Sequence, residues 1–74
     1  MPRFPRVSGK KISKILISLG FKKFRQRGSH MFFVHEDGRV TTITDHENKE
    51  IPIGTLKAIL KDIEILDDDF RKLL

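Results

Sequence analysis

The chain contains no cysteine, no tryptophan and no tyrosine. Without cysteine, a domain of 74 residues cannot be stapled by disulfides, attack through a thiolate or build a cysteine zinc site. Long hydrophobic runs are also missing. The longest, Met31 to Val34, has four residues, too few for a membrane span or the hydrophobic part of a signal peptide. Low-complexity tracts and internal repeats are absent. The expectation is one soluble cytoplasmic domain over residues 1–74, with a small core and no membrane partner.

Acidic residues are lacking from the first thirty positions, which carry nine Lys or Arg. Positions 31–74 carry six basic and ten acidic residues, so a segment of charge +9 adjoins one of −4. Such asymmetry suits a polyanionic partner, nucleic acid before an anionic membrane, with a solvated basic face as the plain alternative. No amphipathic stretch pairs a basic face with bulky aromatics, which disfavours the membrane.

The opening MPRFPRV, with two prolines and no periodicity, predicts an extended arm. Ser8 then offers an N-cap and Val7 a hydrophobic staple to Ile12. Ile12, Ile15, Leu16 and Leu19 form one helical stripe, and Gly20 suits a left-handed stop. FKKFRQR predicts a short strand. HMFFVH and VTTIT predict two more, joined at Asp37-Gly38, a strong hairpin signal. Both faces of the second strand are apolar, so the pattern does not fix the direction of His30. Pro52 suits the start of a helix with Leu56, Ile59, Leu60 and Ile63 on its buried stripe. A short last helix is expected, N-capped by Asp67, with acids first and Arg71 and Lys72 last, the order its dipole favours. The sum is an α+β domain: a three-stranded antiparallel sheet with helices on one face.

Three histidines are present, His30, His35 and His46. Their spacing on strands and loops does not resemble a metal site, and no cofactor is implied. His30 follows Lys22, Lys23, Arg25 and Arg27 and the turn residues Gly28 and Ser29. Cations would hold a phosphate, Gly28 would let the backbone approach it, and Ser29 could donate to it or serve the turn. An imidazole titrating near neutrality could move a proton on the RNA 2′-OH, making that oxygen a nucleophile without a metal. On residue types alone the structural alternative is the stronger one: a turn histidine bonded to backbone. His35 fits a solvated strand end. His46 lies in a polar loop between Asp45 and Glu47, open to an accessory role.

Five ordered blocks carry a resemblance: Leu19-Gly20-Phe21, Arg25-Gln26-Arg27-Gly28-Ser29-His30, Asp37-Gly38-Arg39, His46, and Gly54-Thr55-Leu56. Over essentially its whole length the chain resembles HicA-type toxins, also called the YcfA-like family. The resemblance implies a double-stranded-RNA-binding-domain-like α-β-β-β-α fold with a short C-terminal helix, an mRNA interferase activity that stops translation, and a cognate HicB-type antitoxin that masks the site. It maps the catalytic histidine onto His30. Where the family usually has proline, two residues before the histidine matching His46, this chain has Thr44, which predicts a looser end to the third strand. The acidic Asp67 to Asp69 segment suits structure or the antitoxin better than RNA.

Three functions are therefore open to this chain. One is an endoribonuclease with His30 as general acid or base, with Lys22, Lys23, Arg25, Arg27, Gly28 and Ser29 around the phosphate. Another is a non-catalytic RNA-binding module of the same fold. The third is a protein-interaction module using the acidic face.

Overall fold

The computed structural model describes residues 5–45 and 49–74; His46 and part of the N-terminal arm lie outside the described residues. The elements run α1 (Gly9–Ser18), β1 (Lys22–Arg27), β2 (His30–Val34), β3 (Val40–Thr44), α2 (Ile53–Asp62) and α3 (Asp67–Lys72). The strands form an antiparallel sheet in the order β1-β2-β3. This is the expected α+β, double-stranded-RNA-binding-domain-like order. No helix among the described residues is long and apolar enough to cross a membrane.

Local chemistry starts and stops α1 as anticipated. Ser8 is the N-cap, its hydroxyl accepting from the Lys11 amide at 3.1 Å. At the other end Gly20 has φ +97°. Its amide donates to Ile17 and that of Phe21 to Leu16, the paired bonds of a Schellman stop. The arm is held at its end: the Ile51 amide donates to the Val7 carbonyl at 2.8 Å, and Val7 is buried with Ile12 in one core.

Two helix starts differ from the sequence expectation by one residue. Pro52 occupies the N-cap position of α2 and not its first turn, and Leu66, not Asp67, occupies that of α3; neither end has a side-chain cap. Asp67 is the first residue inside α3, where a carboxylate still meets the positive end of the helix dipole. Asp68 pairs with Arg71 at 2.7 Å within the same helix.

Ile12, Ile15 and Leu16 of α1, Met31, Phe33 and Ile43 of the sheet, Leu56, Ile59 and Leu60 of α2, and Phe70 of α3 make one core. Burying Met31 and Phe33 against the helices resolves the direction left open by the sequence. By the twofold alternation of a strand, His30, Phe32 and Val34 then lie on the face away from the helices.

Arg39 ties the far end of the sheet to α2. Its guanidinium meets the Asp37 carboxylate at 2.8 Å, lies 5.1 Å from the Phe21 ring centroid and donates to the carbonyl of Ile63, the α2 C-cap. The Arg39 side chain and amide, donating to the Asp37 carboxyl, hold it below the usual carboxylate range. His35 closes the same end, with Nδ1 accepting from the Asp37 amide and its ring 5.0 Å from Phe21. The expected β2–β3 hairpin is present, with Asp37 and Gly38 inside its loop, residues 35–39.

Two backbone positions generate predictions of opposite sign. A Cβ on Gly9 would sit 2.8 Å from the Thr44 carbonyl oxygen and 2.9 Å from Asp45 Cα. Gly9→Ala, favourable by helix propensity, should instead destabilise by about 1–3 kcal/mol through overpacking, read by chemical denaturation. Glu64 has φ +58° and closes α2 in the position taken by Gly20 after α1. Glu64→Gly should relieve that strain and gain up to about 1 kcal/mol, after the larger unfolded-state entropy of glycine is subtracted. The melting temperature should rise by roughly 4–8 °C for each kcal/mol gained.

Candidate active site and nucleic-acid interface

The Gly-Ser pair before His30 is a two-residue hairpin turn closed by the Arg27–His30 strand pair. Gly28 has φ +57°, and among the described non-glycine residues only Glu64 has a positive φ, so Ser29 does not. That is the arrangement of a type II′ turn, whose first central position favours glycine. A Cβ on Gly28 would meet nothing within 4 Å, so within the chain the glycine is required by conformation and not by close packing. The turn makes His30 the first residue of β2, directly across from Arg27 on β1 and from Thr44 on β3.

His30 is exposed. Its Nδ1 lies 3.3 Å from the Thr44 hydroxyl, and Nε2 has no partner among the described residues. The Asp45 amide donates to the Ser29 carbonyl at 2.9 Å, locking the turn to the end of β3. The looser third strand expected from Thr44 is therefore not found. β3 stays paired through Thr44, and the hydroxyl that proline would lack contacts the histidine.

Beside His30 lies a cleft of ≈ 840 Å³, lined by Ser29, Thr44, Asp45, Lys49, Ile51 and Thr55 among others. Its volume falls in the range of ligand-binding clefts. Asp45 Oδ1 is buried there without a hydrogen-bond partner among the described residues. Gly9, by admitting the start of α1 against Thr44 and Asp45, fixes this wall of the cleft.

The structure divides the cations that the sequence grouped together. A β-bulge between Lys23 and Arg25 shifts the register so that Arg25 pairs with Phe32 and Arg27 with His30. Arg25 and Arg27 thus share the open face with His30, and neither has an ion-pair partner among the described residues. Lys22 pairs with Val34, four residues along β2 from His30 and so about 13 Å away. Lys23 pairs with Phe33, on the helix side, and its ammonium donates to Gln26 Oε1 at 2.7 Å. These two lysines are not beside the histidine.

Sequence reasoning missed Thr44, Asp45 and Lys49 as neighbours of His30. For Thr44 a signal existed: in a hairpin centred on Asp37, residue 44 is as far from the turn as residue 30. Asp45 and Lys49 come to the cleft through the loop after β3, which no pattern orients. Among the described residues no group of three or more His, Asp or Glu could hold a metal ion.

No curated protein matches the chain. A family model described as the HicA toxin of bacterial toxin-antitoxin systems matches residues 9–65, from the first residue of α1 to just beyond α2, and so takes in the whole sheet and the His30 turn. The chain belongs to the HicA toxin family, and a cognate antitoxin is implied as its partner.

Proposed function

We propose that this toxin is an endoribonuclease that cleaves mRNA, with His30 as its proton-transfer residue and Arg25 and Arg27 as its phosphate contacts. One observation carries the reading: His30 stands exposed opposite Arg27, with one ring nitrogen against Thr44 and the other without a partner among the described residues. A histidine serving only its own turn would bond to turn backbone; this one bonds to a side chain on the next strand.

With the Nδ1 proton donated to the Thr44 hydroxyl, Nε2 presents a lone pair. It takes the proton from a ribose 2′-OH, the oxygen attacks the adjacent phosphorus, and the bond to the 5′-oxygen breaks. The products are a 2′,3′-cyclic phosphate and a 5′-hydroxyl strand: the leaving 5′-oxygen takes a proton from solvent, and Nε2 returns the one it accepted to solvent, so no proton is gained or lost. The attacking oxygen belongs to the RNA, so the reaction as written requires no metal. Arg25 and Arg27 stabilise the charge that gathers on the phosphate in the transition state. Ser29 and Lys49, on the rim of the cleft, are further contacts for the strand.

His30→Ala should reduce RNA cleavage in the presence of EDTA by about 10²–10⁴-fold while leaving the circular dichroism spectrum and RNA affinity nearly unchanged. Equal, negligible cleavage by both proteins at matched affinity would instead identify a non-catalytic RNA-binding module. Thr44→Val keeps the β-branched shape and removes the hydroxyl. If that bond orients the ring, kcat should fall about tenfold with KM little changed, the equivalent of one hydrogen bond. An unchanged kcat would show that Thr44 does not orient the ring.

A further inference from the structure

We propose that the open face of the sheet is a stacking platform for unpaired bases, so that the RNA bound beside His30 is single-stranded. The inference rests on the reading of the site as an RNA-cleaving one and names its substrate class. Phe21, Phe33 and Phe70 are at most 2 % exposed, whereas Phe24 is 60 % exposed. The bulge that realigns Arg25 leaves Phe24 without a ladder partner, and its ring packs at 6.3 Å and 52° against Phe32. Phe32 lies two residues from His30 on the same face of β2, about 7 Å along the strand. A base adjoining the phosphate at His30 therefore falls within reach of an aromatic ring.

Charge chooses the occupant. None of the three strands contains an acidic residue, and Arg25 and Arg27 flank the rings on the same face. From Phe24 and Phe32 a shallow groove continues past Thr42 and Val40 to Thr55 and Ala58 of α2. The carboxylate at its far rim, Asp62, accepts a hydrogen bond from Thr41. Cations beside an exposed ring, here Phe24 backed by the half-buried Phe32, are the combination that binds single strands, with phosphates on the cations and base faces on the ring. A duplex cannot use the rings in this way, because its base faces are already stacked within the helix.

The test measures binding of a fluorescent single-stranded RNA to the full chain in a His30→Ala background, so that no cleavage intervenes. Phe24→Leu keeps an apolar side chain and removes the aromatic face; at an exposed position it should fold normally. It should weaken single-strand binding by about fivefold to a hundredfold, Phe24→Tyr should restore it, and the same RNA annealed to its complement should bind more weakly and be indifferent to either change. Unchanged single-strand affinity in Phe24→Leu, or tighter binding of the duplex, would overturn the platform. So would unchanged RNA binding together with loss of binding to the cognate antitoxin, which would assign the face to that protein. Cleavage by the otherwise wild-type chain is read separately. A platform without cleavage would leave this inference standing and remove the nuclease, and cleavage indifferent to Phe24 would do the reverse.

Discussion

Burial of Met31 and Phe33 sets the parity of the central strand, and the whole candidate functional surface depends on it. With those two side chains against α1 and α2, His30 and Phe32 have no choice but the opposite face. The strand is apolar on both sides, so the sequence pattern alone tolerates the other register. What excludes it is the core: the other parity would place His30 among Ile12, Leu16 and Ile43 and expose Phe33, one of the largest fully buried side chains. A shift of one residue would move the histidine and the aromatic face together to the wrong side.

Around that strand the site is assembled from short-range devices. The positive φ of Gly28 folds β1 tightly onto β2 and sets Arg27 opposite His30. The bulge at Phe24 brings Arg25 onto the same face. The hairpin beyond Val34 carries β3 back so that Thr44 arrives beside the imidazole, and Gly9 permits α1 to begin against Thr44 and Asp45. The opposite end of the sheet has a different character. His35, Asp37 and Arg39 are consumed by one another, by Phe21 and by the end of α2. Two histidines close in sequence thus have unlike roles, one exposed at the site and the other half-buried in a structural clamp.

The helices and strands were legible because each is signalled locally: Ser8 and Gly20 bracket α1, VTTIT is a strand from its β-branched content, and the stripe from Leu56 to Ile63 is helical. The candidacy of His30 rests on the family blocks, since its turn by itself favours a structural histidine and its preceding cations only supply a phosphate for it to face. Lys22 and Lys23 adjoin it in sequence but not in space, because along a strand alternate side chains diverge and each residue adds over 3 Å. The exposure of Phe24 has no signal in the sequence, because a bulge is a property of pairing, visible only once β1 and β2 are aligned. Thr44 read as a missing proline, and only the cross-strand register reveals a hydroxyl beside the imidazole.

On the proposed mechanism His30 activates the RNA's own 2′-oxygen. An RNA carrying a single 2′-deoxyribose on the 5′ side of the cleaved bond, compared with its all-ribose counterpart, tests it most directly. The all-ribose strand should be cut to a 2′,3′-cyclic phosphate, and the deoxy strand should not be cut at that bond. Cleavage of the deoxy strand at the same bond and a comparable rate would contradict it.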